Sequence, residues 1–285
     1  MAAEKATDPS LKISVMCRVL GVSRSGYYGW VKRVSSPPMG RAAEDAALLD
    51  KIKALHAEFS YYGAPRIHQA LRRQDLIVGR HRVARIMRCN GIRAFRGRVE
   101  IRRRSVPFHR RVDLVDHVQR NFAAEQPDRL WFTDTTLIKT TDGWLYVAAI
   151  LDAYNREIIT WRTSPVESAA TAQQALAEAI MIRRPSPGCI VHSDRGYQYT
   201  AYEWTTLARR HGMVVSIGER KDPRDNAVME SWFASLKVEE LYPKGVPSSR
   251  ADARQRLFTY VWIYNNKRLH SSLGYQTPRS YVRIK

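Results

Sequence analysis

The sequence predicts an α/β domain preceded by small all-helical segments. Three observations lead to this prediction. Residues 126–285 alternate β-branched apolar runs with helical patterns, whereas residues 1–97 show helical patterns alone. A basic stretch of weak pattern separates these two regions. Apolar residues make up 44% of the 285-residue chain, which is enough to bury a core in at least one domain.

The first helical pattern covers residues 11–33 and is broken near Gly21. We therefore assign residues 1–36 to an N-terminal helical region. This region is either a helix-turn-helix fragment or a helical pair that packs on the next domain, and the sequence leaves both alternatives open. Pro37 and Pro38 then stop any helix and mark a boundary.

Residues 41–97 are predicted to form a helix-turn-helix-like DNA-binding domain. A helix at 42–60 is followed by helices at 64–73 and 80–90, each with an apolar stripe at helical spacing. The last of these helices has the charge expected of one that enters a major groove. Seven arginines of the last two helices remain for the outer faces, and five of them are candidate DNA contacts: Arg66, Arg80, Arg82, Arg85 and Arg88. Which of them read bases, which hold phosphates and which are only solvated stays open.

Basic charge is concentrated ahead of the predicted α/β domain. Residues 1–125 contain 25 Lys and Arg against 11 Asp and Glu, a net +14 of the chain's formal +20. Such a balance favours a polyanionic partner, because neutralising phosphates releases condensed counterions. We interpret residues 98–125 as a basic linker that can itself follow a nucleic-acid backbone.

The α/β domain is predicted over residues 126–285. Three strands joined by short turns come first, and helices then alternate with strands, which indicates a mixed sheet with helices on both faces. The predicted strands lie at 130–138, 144–152, 157–164, 188–194 and 214–218. The predicted helices lie at 168–182, at 201–211, around Glu230 and at about 250–266.

Three carboxylates lie on different elements of this domain. Asp134 is within the strand "LWFTDTTLI", Asp194 ends a later strand, and Glu230 is on a helix after 35 intervening residues. Converging carboxylates repel one another by roughly 4 kcal/mol per close pair at an effective dielectric near 20, so a cation is expected among them. Oxygen ligands suit Mg²⁺ or Mn²⁺, and two such ions about 4 Å apart support phosphodiester chemistry. Any one of these acids alone is more often a solvated side chain.

Three motifs carry a family resemblance: "VHSDRGYQYT", "DNAVMESWFASLKVEEL" and "YNNKRLHSSLGYQTP". They resemble the catalytic OrfB product of insertion-sequence-three-type bacterial transposases, within the DDE transposase and retroviral integrase superfamily. The resemblance runs from about Met16 to the C-terminus. It departs at residues 221–225, where the family more often has a Gly or Cys and an aromatic residue before Asp-Asn-Ala. The resemblance implies a ribonuclease-H-like integrase catalytic core.

For the site, the resemblance implies that Asp134, Asp194 and Glu230 are both catalytic residues and metal ligands. The expected cofactor is Mg²⁺, with two ions per active site and Mn²⁺ as a substitute. Lys237 lies seven residues after Glu230 and therefore on the same helix face, where the family has a basic residue. We expect Lys237 to reach a phosphate; the alternative is an ordinary helix cation.

Further residues near the triad are candidate DNA contacts. His192 and Arg195 flank Asp194, and Lys267 and Arg268 lie in the C-terminal motif. His192 is explained as well by a core histidine or by a residue behind the metal ligands. Asp152 follows an apolar strand and is better explained as a turn residue than as a fourth acid.

The resemblance implies a DNA transposase that cleaves 3′ ends and transfers strands at the terminal inverted repeats of an insertion sequence. The expected partners are double-stranded DNA, further copies of the chain on paired ends, and an OrfA protein or a fused OrfA segment. Two alternatives remain. One is a nuclease of the same fold that only hydrolyses, and the other is a DNA-binding repressor with an inert core.

Cysteine and hydropathy patterns indicate the expected location of the protein in the cell. Cys17, Cys89 and Cys189 are too scattered for a disulfide framework and show no zinc-binding spacing. No apolar run approaches the roughly 18 residues that span a bilayer, and the N-terminus lacks the core of a signal peptide. We therefore expect a cytoplasmic bacterial protein, not associated with a membrane, that joins the nucleoid when bound to DNA.

Overall fold

The computed structural model describes residues 12–35, 40–97, 114–218 and 223–281. The predicted basic linker, 98–125, is therefore described only from residue 114 onward, and its first part lies outside the described residues. The loop at 221–225 that departs from the family pattern is described only from residue 223.

Two short helices open the described chain, as predicted. They are α1 (Ile13–Val19) and α2 (Arg24–Ser35). Gly21 lies between them with a φ of 65°, a conformation that side chains with a Cβ rarely adopt. Cys17 is buried, whereas Trp30 is exposed.

Three further helices form what we call the helical module: α3 (Arg41–Glu58), α4 (Ala64–Arg72) and α5 (Arg80–Cys89). The predicted helices match these bounds within two residues. Their apolar stripes meet in one core that contains Leu48, Ile52, Leu55, Phe59, Tyr62, Ile67, Leu71, Val83, Ile86 and Met87. Leu269 from the C-terminal segment is also buried in this core, so the module is docked on the rest of the chain.

A five-stranded sheet organises the second half of the chain. Its strands are β1 (Leu130–Thr140), β2 (Gly143–Asp152), β3 (Ile158–Ser164), β4 (Ile190–Ser193) and β5 (Val214–Ile217). Their order is β3-β2-β1-β4-β5, with β1, β2 and β3 antiparallel and β4 and β5 parallel to β1. The predicted mixed sheet is confirmed.

Helices accompany this sheet: α6 (Ala169–Arg183), α7 (Tyr197–Thr200), α8 (Tyr202–Arg210), α9 (Ala227–Leu236), α10 (Tyr242–Lys244) and α11 (Arg250–Asn266). One turn of π-helix, Lys237–Leu241, connects α9 directly to α10. Short 3₁₀ turns occur at Pro223–Asn226, Ser271–Leu273 and Pro278–Ser280. Across the described ranges, no helix combines the length and the hydrophobicity needed to cross a bilayer.

The two faces of the sheet bury separate cores. Successive residues of a strand point to opposite faces, so β1 contributes to both. Leu130 and Phe132 share a core with Trp232 of α9, whereas Trp131 shares the opposite core with Trp204 of α8. The prediction of helices on both faces is thereby confirmed.

Asp152 ends β2 as a turn residue, in agreement with the sequence. Its Oδ2 accepts a hydrogen bond from the amide of Asp128 at 3.0 Å, and its Oδ1 accepts one from the amide of Tyr154 at 2.9 Å. The residue is fully buried, and this burial raises the pKa of its carboxyl to about 6. Asp152 pairs with Trp131, near the start of β1, and so lies away from Asp134.

The raised pKa of Asp152 predicts a pH dependence of stability. An unfolded Asp ionises near pH 4, whereas the folded Asp152 keeps its proton up to about pH 6. The stability contributed by this proton is complete below pH 4 and is lost as the pH rises through 6, an effect of at most about 3 kcal/mol. Urea unfolding of Asp152→Asn should therefore show stability that increases, relative to the wild type, from pH 4 to pH 7.

The control is Asp142→Asn. Hydrogen bonds from Thr140 and the amide of Arg250 lower the pKa of this exposed carboxyl, so its stabilising effect changes only below about pH 4 and its replacement should give no trend between pH 4 and pH 7. An Asp152→Asn difference that does not change with pH would contradict the assignment.

Candidate active site

The parallel pairing of β1 with β4 brings two predicted acids together. Phe132 pairs with His192. Asp134 and Asp194 each lie two residues further along the chain, so the parallel register places them opposite each other. Neighbouring strands lie about 4.8 Å apart. Asp194 directly follows Ser193, the last residue of β4, and this carboxyl end of the strand is where sites in α/β sheets gather.

The third acid is on α9, which packs on the same face of the sheet as Phe132. This helix is anchored by buried side chains: Val228, Met229, Trp232, Phe233 and Leu236. Glu230 is exposed in its first turn. Asn226 at the helix start donates through Nδ2 to the carbonyl oxygen of Thr133 at 3.1 Å. Because Thr133 precedes Asp134, this bond fixes the helix of Glu230 to the strand of Asp134.

Burial and the charges of neighbouring side chains shift the pKa of Asp134. Burial raises the pKa of Asp134 well above its usual range, and the negative charges of Asp194 and Glu230 add to this. The amide of Thr135, which donates to Oδ1 at 2.7 Å, and the positive charge of Lys237 act in the opposite direction. The structure thus brings the three predicted acids and the predicted lysine into one electrostatic site.

The pKa values of Asp194 and Lys237 are also shifted by their surroundings. Partial desolvation raises the pKa of Asp194, although its side chain keeps access to solvent, and the amide of Gly196 opposes the rise by donating to Oδ1 at 2.9 Å. Burial lowers the pKa of the half-buried Lys237, while the charge of Asp134 raises it. One lysine cannot neutralise three carboxylates, so the site retains a need for positive charge.

His192 lies behind the site and not on its surface. Its Nε2 donates to the carbonyl oxygen of Asp225 at 3.0 Å, so Nδ1, 2.8 Å from Oγ of Ser216, accepts from that hydroxyl. Burial lowers the pKa of the ring, which favours the neutral form. The expectation that His192 contacts DNA is wrong in this structure, because a side chain that is 1% exposed offers DNA no surface.

Other residues that hold the site were missed by sequence reasoning. Arg120 donates through Nε to Oδ1 of Asp225 at 2.8 Å, just before α9. The fully buried Tyr199 has its hydroxyl 2.9 Å from Oγ1 of Thr135. Tyr199 and Asp225 belong to the motifs that identify the family, whereas nothing local marks Arg120.

The C-terminal cations are mostly engaged within the protein. Arg268 is 6% exposed and bound to Glu239, so its predicted contact with DNA is wrong in this structure. The exposed Lys267 places Nζ 2.7 Å from Oε1 of Glu58 in the helical module. Arg195 donates through Nε to the carbonyl oxygen of Gly218 at 2.7 Å.

The arginines of α5 divide into two groups. Arg82 and Arg85 bind Asp45 of α3 at 2.6 Å and 2.5 Å, and Arg82 also binds Glu44. Arg80 and Arg88 are exposed and have no ion pair with any residue that the structure describes.

On α4, the half-buried Arg66 lies over the ring of Tyr62, with its guanidinium carbon 5.6 Å from the ring centroid. Burial, with the nearby charge of Arg268, lowers the pKa of Arg66. Arg66 thus has less access to DNA than Arg80 or Arg88.

The donor set of the site suits a hard divalent cation. Among the described residues, no group of three His, Cys, Asp or Glu side chains lies close enough together to hold a metal ion, so the three acids do not form a ready-made three-ligand site. Mg²⁺ does not need one, because it keeps several waters and takes one or two carboxylates together with substrate phosphate. Asp134 and Asp194 provide such carboxylates, and their crowded negative charge fits a cation.

Family comparisons cover most of the chain. Two models described as Integrase core domain match residues 124–223 and 211–278, and one described as HTH-like domain matches residues 43–99. The chain is 34% identical over 273 residues to the insertion element IS600 uncharacterized 31 kDa protein of Shigella sonnei, which covers 93% of this chain and 97% of that protein.

The chain is also 34% identical over 277 residues to the transposase InsF for insertion sequence IS3fB of Escherichia coli strain K12, with 94% of this chain and 93% of that protein covered. Among solved structures, it is similar to the HTLV-2 integrase catalytic core domain in complex with magnesium. That similarity has a TM-score of 0.44 and 14% identity, and it covers 54% of this chain and 95% of the other.

The crowding of the carboxylates predicts the effect of removing one charge. Asp134→Asn keeps the acceptor for the amide of Thr135 but removes a half-buried negative charge near Asp194 and Glu230. In EDTA at pH 7.5 the variant should melt above the wild type, by about 2–4 °C for each kcal/mol relieved. Added Mg²⁺ should raise the melting temperature of the wild type more than that of the variant.

A turn variant outside this site serves as the control. Asp142→Asn should gain no melting temperature in EDTA, because the hydroxyl of Thr140 and the amide of Arg250 already stabilise that carboxylate. Melting of Asp134→Asn below the wild type in EDTA would show that its charge is not crowded.

Proposed function

The chain belongs to the transposases of IS3-type insertion sequences, and we propose that Asp134, Asp194 and Glu230 are its catalytic DDE triad. The observation that carries this proposal is the β1–β4 register, which sets Asp134 and Asp194 side by side. The electrostatic effect of Glu230 and Lys237 on Asp134 supports the same assignment.

A DDE transposase acts by two displacements at phosphorus. Water first attacks a phosphodiester at the end of the element, so that a new P–O bond forms and the bond to the 3′ oxygen breaks. The released 3′-hydroxyl then attacks a phosphodiester of the target, loses its proton to solvent and displaces another 3′ oxygen, which takes up a proton. Neither displacement needs a covalent protein–DNA intermediate. We infer that the substrate ends are terminal inverted repeats.

Asp134, Asp194 and Glu230 would hold two Mg²⁺ ions. When bound, such ions activate the attacking oxygen and stabilise the leaving one. Mn²⁺ is expected to substitute because it accepts the same oxygen ligands.

The protein's own residues orient the DNA. Lys237 lies two turns after Glu230, about 10 Å along the helix, and can bind a neighbouring phosphate through its ammonium group. Partial burial strengthens that contact, because charges interact more strongly where water is excluded. Arg195, adjacent to Asp194, is the second candidate for a phosphate contact at the site.

The helical module is proposed to grip the duplex at a distance from the cut. Arg80 and Arg88 are its best candidates for phosphate or base contacts because both are exposed. Arg82 and Arg85 instead stabilise the packing of α5 on α3, since both are bound to Asp45. The basic residues in the first part of the chain favour the same role.

Assembly on DNA is also proposed. An insertion sequence has two ends, and at least two protomers are needed if each active site serves one end. We infer a homo-oligomer on paired ends, joined by an OrfA protein or by a fused OrfA segment.

The proposed triad is tested most simply by removing the charge of Glu230. Glu230→Gln keeps the size of the side chain but removes a metal ligand, so cleavage and strand joining of labelled element ends should fall by about 10³-fold or more. The Kd for DNA should change by no more than about twofold, because Glu230 contributes no cationic contact. Gel assays of nicked and joined products, with and without added OrfA, measure both.

Glu203→Gln is the matched control. Glu203 is also an exposed glutamate in the first turn of a helix, α8, and its replacement should leave cleavage unchanged. Cleavage without joining would support a hydrolytic nuclease instead. Binding without cleavage by the wild type, with either metal and with OrfA, would support a DNA-binding repressor.

The division among the arginines of α5 gives a separate prediction. Arg80→Gln and Arg88→Gln should each weaken DNA binding and reduce the slope of log K against log salt concentration by about 1. Arg82→Gln should leave that slope unchanged but lower the free energy of unfolding, because it breaks the pairs with Glu44 and Asp45. An equal loss of slope in Arg82→Gln would contradict the division.

A further inference from the structure

Arg268 and Glu239 form a buried ion pair outside the carboxylate site. Arg268 donates through Nε to Oε2 of Glu239 at 2.7 Å and through Nη2 to Oε1 at 2.6 Å. The two side chains are 7% and 6% exposed. The hydroxyl of Tyr260 donates to the same carboxylate at 3.0 Å. A buried pair of this kind must offset a large desolvation cost, which only good geometry and added hydrogen bonds can do.

His270 adds a further partner to this pair. Its ring nitrogens lie 3.3 Å from Nη1 of Arg268. Burial, together with the charges of Arg268, Arg66 and Arg156, lowers the pKa of His270 to about 2. The ring is therefore neutral and can accept a hydrogen bond from the guanidinium group.

The Arg268–Glu239 pair contacts the C-terminal end of α9, the helix that carries Glu230. Glu239 lies in the π-helical turn, two residues after Lys237. Nη2 of Arg268 also lies 3.3 Å from Oγ of Ser235, in α9 itself. The guanidinium group therefore contacts the helix on both sides of Lys237. Single π-helical turns within longer helices are frequent at functional sites.

Leu269, the residue after Arg268, connects this segment to the helical module. The amide of Leu269 donates to the hydroxyl of Tyr62 at 2.7 Å, and the Leu269 side chain is buried in the core of the module. Tyr62 is itself fully buried and stacks on Phe59 with ring centroids 4.6 Å apart. Consecutive residues of one segment thus contact the catalytic helix on one side and the helical module on the other.

We propose that Arg268 and Glu239 are positioning residues that set Glu230 and Lys237 for strand cleavage, and that Tyr62 connects them to the helical module. This inference rests on the catalytic role proposed above for Glu230 and Lys237. Glu239 lies about 13 Å along the helix from Glu230, so the pair is assigned an effect through the helix and not through contact with the reacting groups. The pair and Tyr62 fix the relative placement of the module that grips DNA and the helix that acts on it.

The test uses the full chain with Arg268→Lys, Tyr62→Phe and a matched control. Arg268→Lys keeps the charge but cannot form the two-pronged contact with Glu239. Tyr62→Phe removes one hydroxyl across the domain contact and keeps the aromatic stacking, so it remains informative even if the arginine variant folds poorly. Arg183→Lys is the control, because Arg183 forms a similar partly buried pair with Glu157 elsewhere in the domain.

Cleavage and binding are measured separately. At saturating DNA, single-turnover cleavage should slow by about tenfold or more in Arg268→Lys and by roughly threefold to tenfold in Tyr62→Phe, with Kd within about twofold of the wild type. Arg183→Lys should match the wild type in both measurements. A wild-type rate in Arg268→Lys, or an equal slowing in Arg183→Lys, would overturn the inference, since a purely structural pair changes stability and not the rate of bound protein.

Hydrogen exchange tests the connection without requiring turnover. Amides of residues 227–241 should exchange faster in Tyr62→Phe, although the lost hydroxyl is in the helical module, and should be unchanged in Arg183→Lys. Unchanged exchange in Tyr62→Phe would overturn the inference. If the wild type fails to cleave, the proposed function fails, and the exchange measurement still decides whether Tyr62 positions the catalytic helix.

Discussion

Repulsion among three carboxylates at the edge of one sheet is the constraint on which the rest of the structure depends. The β1–β4 register places Asp134 and Asp194 next to each other, and Glu230 lies on α9, which packs on the same sheet. Each close pair costs roughly 4 kcal/mol at an effective dielectric near 20, and Lys237 alone cannot offset that cost. Burial is the main cause of the raised pKa of Asp134, and the negative charges of Asp194 and Glu230 add to it. Added cations would reduce this excess of negative charge.

A crowded site persists only where the surrounding scaffold fixes its geometry. Here the two cores of the sheet hold β1 on both faces, and the bond from Asn226 to Thr133 joins the helix of Glu230 to the strand of Asp134. The contacts of Arg268 extend the same principle to the far end of that helix. Buried polar contacts thus help to hold the elements that carry the acids, while Arg80 and Arg88 of the helical module are exposed.

Local pattern was enough to predict the fold class and most element bounds. The apolar stripes of the helices and the β-branched runs of the strands became buried surfaces, and Trp131 and Trp232 lie in the core. Tertiary partners were not predictable in this way. Arg82 has no acid on its own helix, yet Asp45 of α3 binds it. His192 and Arg268 were predicted to contact DNA, but both are buried against Asp225 and Glu239. These partners are distant in the sequence, so local pattern could not predict the burial. Spacing and motif predicted the three acids, whereas only the strand register explains why Asp134 and Asp194 lie next to each other on neighbouring strands.

The most direct test of the account is anomalous diffraction from crystals of the protein bound to element-end DNA and soaked with Mn²⁺. We expect anomalous density between the carboxylates of Asp134, Asp194 and Glu230, in contact with a phosphate of the DNA. Ordered carboxylates with no anomalous density among them, or density only elsewhere on the chain, would contradict the claim that these three acids form one metal-dependent site.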